Sequence, residues 1–342
     1  MKSVSGNKGF ALVLVLWVLS LLTIMAGSFT LTMRRESALI EGIKQNAQGQ
    51  SLAESAIALA QLMLINPELS ERWHADGSIY QINFNNASVR IQLISELGKI
   101  DINSANQKLL TAVMSHAPIE EKQQTKVLNA ILDWRDADDE TRPDGAEKNE
   151  YKHAKLSYVP RNKRFRSIEE LQMILGMDSE LYQWLQPLIT VYSGQEVELK
   201  LATKAVLQVL PELDSSRIDE FVAARLESAK NGLPAPAFPV TGTDVLDEGT
   251  SDLSSEPEPP PEGEEATPEE VETGVVEIIA ETQVENEPNS VLSLIIEKSD
   301  TGVGSPFKVL KWQRNYASEK SLFADEMNEL LVGQYAEPQF NN

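Results

Sequence analysis

The 342-residue chain contains no cysteine. It therefore has neither a disulfide framework nor a thiolate metal site, and the compartment stays open, because an oxidising periplasm permits disulfides without requiring them. Histidine is nearly as scarce: His74, His116 and His153 lie far apart in the chain, which leaves zinc without its usual ligands. Positive charge is also short. There are 30 Lys and Arg against 52 Asp and Glu, a formal net charge of −22. A polyanion such as duplex DNA needs clustered basic side chains to release its counterions, so nucleic acid is not an expected partner. No nucleophile elbow, phosphate loop or paired catalytic motif occurs, and no enzymatic activity is expected. What the chain does have is 42% apolar residues, enough at this length to build real cores in two or three packed domains.

Residues 10–33 carry no charge. At about 1.5 Å rise per residue, a helix of that length crosses a hydrocarbon core of roughly 30 Å. Lys2, Lys8 and the initiator amine precede the run, whereas Arg34 and Arg35 are followed by Glu36, so the positive-inside rule leans toward a cytoplasmic N-terminus. A signal-peptide core is shorter, about 7–15 residues, and ends at an A-x-A-like site that is poorly matched here. Helical spacing continues through Ala38, Leu39, Ile43, Ala47, Leu52, Ala56, Leu59, Ala60 and Leu64 and stops at Asn66 and Pro67. One long helix is expected to leave the membrane and lay its outer half on a sheet. Residues 79–84 and 87–94 alternate apolar and polar side chains around Asn85 and Asn86, the pattern of a hairpin.

The middle of the chain reads as helical. Residues 98–105, GKIDINSA, end a strand and place a helix cap at Ser104, and a helical stretch covers 122–134. Residues 167–182 and 205–218 each spell a helix, a tight turn and an Asp-Ser cap opening the next helix; Ser167 with Glu170 reads as a capping box. Both segments look like helix-hairpin-helix units. Many such units hold DNA phosphates on a glycine-rich turn, but the second turn here is Leu-Pro-Glu, with a carboxylate and no glycine. The basic stretch 161–166, with Lys152 and Lys155, reads as a solvated or salt-bridging face.

Two acidic segments stand out. Residues 133–151 hold eight carboxylates, which repel one another unless solvated or sharing a cation. Calcium takes six to eight oxygen ligands from flexible loops, although the D-x-D-x-D-G spacing of an EF-hand is missing. Residues 244–287 contain sixteen acidic side chains and no basic one around a proline-rich centre. Such a segment cannot bury enough apolar surface to offset its ordering entropy, so a disordered insertion is expected, with a short strand recovered at 275–279. Residues 290–297 and 307–312 then make a hairpin that completes the sheet.

Taken together and in order, GFALVLVLWVLSLL, GKIDINSA, the D-W-R-D-A-D-D-E-x-R-P-x-G-A-E run ending at Tyr151, P-R-N before S-I-E-E-L and the second helical unit resemble the K-type minor pseudopilins of type II secretion, the general secretion pathway protein K family. The resemblance implies an α+β fold: a transmembrane, pilin-type long helix packed on an antiparallel sheet, with a large inserted all-α domain containing helix-hairpin-helix-like units. It implies a leader at 1–9, the membrane helix at 10–33, the pilin-like helix and first strands at 34–98 and the helical insertion at 99–235. The acidic insertion then takes 236–288 and the closing hairpin 289–315, and the tail, 316–342, has no counterpart. Lys8-Gly9-Phe10 is similar to a prepilin cleavage site, which implies cutting after Gly9 and methylation of Phe10. Most such proteins carry glutamate at the fifth mature position; here it is Leu14, a loss typical of the K type and one that removes a costly intramembrane carboxylate. The resemblance further implies that the acidic loop binds structural Ca²⁺ through Asp136, Asp138, Asp139, Asp144, Glu147 and Glu150. Implied partners are the I-type and J-type minor pseudopilins, the major pseudopilin filament, the prepilin peptidase and the inner membrane, and the implied role is to cap and initiate a periplasmic filament that exports folded proteins. Competing readings are a membrane-anchored DNA receptor, a minor pilin of a type IV pilus and, last, an anchored hydrolase.

Overall fold

The computed structural model describes residues 8–84, 87–239, 274–284, 289–299, 305–314, 316 and 320–336. Its first element, α1 (Lys8–Leu64), is a single uninterrupted helix of 57 residues. No proline interrupts it, and the two ends differ in what they touch. From Leu12 to Met33 the large apolar side chains are exposed, so this part is long and apolar enough to cross a membrane. Farther along, Ala53, Ala56, Ile57, Ala60 and Leu64 are buried, three or four residues apart and so on one face. The small alanines let the helix lie close to the sheet, where Thr282 Oγ1 donates to the Gly49 carbonyl at 3.1 Å.

Beneath α1, among the described residues, six strands form one sheet: β1 (Asp76–Asn83), β2 (Ala87–Ser95), β5 (Val275–Val284), β6 (Ser290–Lys298), β7 (Phe307–Arg314) and β8 (Leu331–Ala336). Their order is β7-β6-β5-β2-β1-β8. Strand alternation gives the sheet two faces. Tyr80, Ile82, Val89, Ile91, Leu93, Ile278, Leu294 and Ile296 pack toward α1, while their neighbours Ile79, Ile94 and Ile279 face away and are covered by Leu322.

The sheet corrects three expectations. It is mixed rather than antiparallel, because β8 runs parallel to β1. That strand comes from the tail, 316–342, which had no assigned place. And the acidic insertion set at 236–288 ends earlier than expected. Residues 275–284 are not a short strand at its margin but all of β5, paired on both sides with β2 and β6. The apolar spacing of Val276, Ile278 and Ala280 outweighs two glutamates there. The proline-rich part of the insertion and the leader residues 1–7 lie outside the described residues.

The helical domain leaves the sheet after β2 and returns at β5, so it is inserted between two adjacent antiparallel strands. Its entry is clipped to the segment after α5 (Ser179–Leu185) by β3 (Ile100–Asp101) and β4 (Ile189–Thr190), a parallel pair, so the insertion is not strictly all-α. Gly98 sits at the entry, where an added Cβ would lie 2.4 Å from the Leu201 carbonyl oxygen; only glycine permits that approach. Between and after the clip come α2 (Gln107–Ser115), α3 (Glu121–Arg135), α4 (Lys148–His153), α5 (Ser179–Leu185), α6 (Lys204–Val209) and α7 (Ser215–Lys230). Val127, Ile131, Trp134, Tyr151, Leu171, Leu181 and Leu207 form their common core. The cap of α2 is Asn106, whose side chain accepts from Leu109 N, rather than Ser104. Ser167 makes no side-chain cap, and residues 168–173 are a 3₁₀ helix; Glu170 turns instead to Arg161, 2.5 Å away.

Buried charge joins domain to sheet. Lys99 Nζ lies 2.8 Å from Glu96 and 2.7 Å from Glu277 on β5, all three buried. Thr190 Oγ1 donates to Glu96, and Ser293 Oγ donates to Glu277 at 2.8 Å. Burial pushes the Glu96 carboxyl up. For Glu277 burial acts the same way, but the Lys99 charge and the hydrogen bonds from Lys99 and Ser293 outweigh it and hold the group below the usual range. The same two carboxylates raise Lys99 despite its burial.

Candidate metal centre

The acidic loop begins where α3 runs out. Asp133 occupies the last turn of that helix and is fully buried. Its carboxylate is the hub of the loop: Oδ2 accepts from Ala146 N at 2.9 Å, and the backbone N–H of Arg142 points at both oxygens. Gly145 makes this possible, since a Cβ there would lie 2.1 Å from Asp133 Oδ2. Asn129 Nδ2 donates to the Pro143 carbonyl at 2.8 Å, which pins the loop back onto α3. The Arg142 guanidinium completes the ring by pairing with Asp133, at 2.7 Å, and with Asp136.

Glu147 faces this ring from the start of α4. It is 2% exposed and faces the Glu150 backbone N–H in a capping arrangement, yet neither of its carboxylate oxygens makes a hydrogen bond; Asp136 Oδ1 is likewise buried without one. Burial and then the charges of Asp133, Asp136, Asp139 and Asp138 push the Glu147 carboxyl up to about 7. An unpartnered buried carboxylate is costly, and oxygens of this kind are what a hard cation takes. The donor set therefore fits calcium chemically. Among the described residues, no three His, Asp or Glu side chains converge closely enough to enclose an ion with the loop arranged as it is, because two of the carboxylates are turned to Arg142.

The six sequence candidates fall into two groups. Asp136 and Glu147 belong to the ring. Asp138 and Asp139 are exposed: Asp138 Oδ1 accepts from Glu140 N at 2.9 Å and Asp139 Oδ1 from Asn162 Nδ2 at 3.0 Å. Asp144 is an exposed turn residue at φ 60°, and Glu150 accepts from Glu147 N at 3.0 Å. Sequence reasoning missed Asp133, which reads as part of a helix, and Arg142, which reads as a stray base. The available signal was the spacing of Asp133 and Asp136 across a helix end, followed by Gly145. Glu147→Gln keeps the shape and removes the unpartnered charge. In chelator at neutral pH this variant should be more stable than the wild type by about 1–3 kcal/mol. A lower melting temperature in chelator would show that Glu147 has a partner in the folded protein.

The two hairpin-like turns have a different character. Asp178 Oδ1 accepts from Leu181 N at 2.8 Å at the start of α5, and Asp214 accepts from Ser216 N and Arg217 N at the start of α7. The second turn also places Glu212 at φ 68°. A phosphate approaching either turn meets a carboxylate where the backbone donors point.

A long helix, apolar enough at its front to cross a membrane, carries a mixed sheet with a helical domain inserted between two of its strands. The sequence profile described as type II secretion system (T2SS), protein K, matches residues 81–194. Type II secretion system protein K of Klebsiella pneumoniae is 22% identical over 218 residues, covering 58% of this chain and 66% of that protein. The Aeromonas hydrophila protein of the same name is 24% identical over 289 residues, covering 72% and 86%. That of Dickeya chrysanthemi is 32% identical over 82 residues, 24% of this chain and 22% of that protein. The crystal structure of the GspK–GspI–GspJ complex from the enterotoxigenic Escherichia coli type 2 secretion system matches at a TM-score of 0.46 and 16% identity, over 83% of this chain and 99% of that chain. The chain is thus similar to type II secretion system protein K, through the profile over residues 81–194 and through proteins of that name from several bacteria.

Proposed function

We propose that this chain is a minor pseudopilin that sits at the tip of the periplasmic pseudopilus and initiates its assembly, so that the filament exports folded proteins across the outer membrane. The observation that carries this reading is the continuity of α1. A membrane-crossing stretch runs without a break into the helix that packs the sheet, so a lateral contact made within the bilayer is transmitted as a rigid lever to the extracytoplasmic body. The helical domain adds bulk to one side of that body, which suits a terminal position better than one with subunits stacked above it. Similarity to type II secretion system protein K supports the I-type and J-type minor pseudopilins as partners, next to the major pseudopilin filament below.

In this reading the N-terminus is cytoplasmic, the body is periplasmic, and prepilin peptidase cuts after Gly9 to leave a methylated Phe10. Gly9 and Phe10 lie in the first turn of α1. Asp133, Asp136 and Glu147 are the residues that would hold calcium, with Asp138, Asp139, Asp144 and Glu150 as outer candidates. Calcium supplies positive charge that neutralises the loop and stiffens it. Mass spectrometry of the protein purified from cells should find a chain that starts at methylated Phe10. An intact Met1, or a start well inside the apolar run, would rule out the assignment.

A further inference from the structure

The acidic ring already contains a cation of its own. Arg142 Nη1 holds Asp133 Oδ1 at 2.7 Å and also pairs with Asp136 Oδ2. The oxygens left over, both from Glu147 and Oδ1 of Asp136, are buried and unpartnered. Calcium takes six to eight oxygens, and the carboxylates whose charges act most on Glu147 are Asp133 and Asp136, the two that the guanidinium now occupies. An ion drawn to Glu147 therefore competes with the guanidinium, for ligands and by like charge at close range. Exchange is sterically open. The Arg142 side chain is 35% exposed whereas that of Asp133 is wholly buried, so the guanidinium can turn out into water while its partner stays fixed by Ala146 N and the Arg142 backbone N–H.

Resting on the calcium reading above, we infer that Arg142 is a built-in competitor for this site: it neutralises Asp133 and Asp136 when the loop is free of metal, and divalent cations bind by displacing its guanidinium into solvent. The arginine thereby sets the affinity of the loop. It also ties the metal-free loop together through Asp133 and Asp136.

The test uses the full chain in detergent, stripped with chelator and titrated calorimetrically with CaCl₂, as wild type, Arg142→Gln and Arg142→Lys. Removing the competing charge should lower the melting temperature in chelator yet tighten calcium binding by about tenfold or more, while Arg142→Lys, which keeps the charge, should stay within about threefold of the wild type. Wild-type binding with equal or weaker binding by Arg142→Gln overturns the inference and leaves the calcium reading standing; no binding by any of the three proteins overturns both. Should Arg142→Gln fail to fold, arginine-labelled wild type gives the answer by NMR. The Arg142 Nε–H signal should be protected from exchange in chelator and lose that protection on calcium addition, and a signal that calcium leaves unmoved overturns the inference.

Discussion

Replacing Lys99 with methionine lowers the stability of the folded protein by about 3–5 kcal/mol at neutral pH, the usual effect of stranding buried charge. Lys99 is the cation of a closed set, with Glu96 and Glu277 within 2.8 Å and no water-facing side. Without it two carboxylates are left in a dry interior, each able to lose the cost only by taking up a proton. The pH dependence of the Glu277 contribution therefore inverts. In the wild type the Glu277 carboxyl is held below its ordinary value of 4.5, so its contribution is present above about that pH and is lost as the pH falls through the folded value. In the variant, burial without a counter-charge raises both carboxyls. A raised carboxyl keeps its proton longer in the folded than in the unfolded chain, so the deficit shrinks as the pH falls from 7 toward 4.5. Urea unfolding of the variant and wild type at several pH values measures this directly. A deficit that is absent at pH 7, or that grows on acidification, would overturn the account. Adding Glu96→Gln and Glu277→Gln to the same chain should recover most of the loss.

Truncation after Arg314 should be nearly as damaging, and should also change solubility. The tail covers the face of the sheet turned away from α1, where Leu322 closes over Ile79, Ile94 and Ile279. It also satisfies buried charge. Glu281 accepts from Leu322 N at 2.5 Å and Ser321 Oγ at 2.6 Å. Arg90 donates to the Leu322 carbonyl at 2.8 Å and to Asn328 Oδ1 at 2.7 Å. Losing one buried leucine and these hydrogen bonds amounts to roughly 3–5 kcal/mol. Removing β8 also bares the edge of β1, a template for strand pairing between molecules, so the truncated chain should self-associate in detergent more than the full chain. Leu322→Ala alone should cost about 2–4 kcal/mol without self-association, because the edge stays covered. Light scattering and thermal melts separate the two effects, and a truncated chain as stable and as dispersed as the full one would show that the tail contributes nothing.

The element types were legible where one physical signal dominates. Uncharged length marks the apolar helix, alternation marks the residues of β1 and β2, and two short apolar runs either side of a glycine-containing stretch mark β6 and β7. They were not legible where two signals conflict. The stretch that becomes β5 carries Glu277 and Glu281 in an acidic neighbourhood, which reads as insertion. Only the tertiary structure supplies Lys99 and Ser293 for one glutamate and Asn289, Ser321 and Leu322 for the other. The parallel β8 escaped for a related reason: its partner β1 lies more than two hundred residues away, and its short, half-exposed pattern carries no periodicity of its own.

The same division holds at the acidic loop. Composition located it and spacing excluded an EF-hand, but composition weighs eight carboxylates equally. Which of them face inward is set by the end of α3, by the room that Gly145 leaves, and by which carboxylates Arg142 reaches. By itself the sequence determined a helix at the front long and apolar enough to cross a membrane, a sheet-forming body behind it and an acidic loop in a helical middle, because each follows from local pattern alone. The tertiary structure decided the mixed order of the sheet, the partners of its buried glutamates and the choice of Glu147 as the unsatisfied carboxylate. Those depend on contacts between residues distant in the chain, and a buried charge is stable only where such a contact meets it.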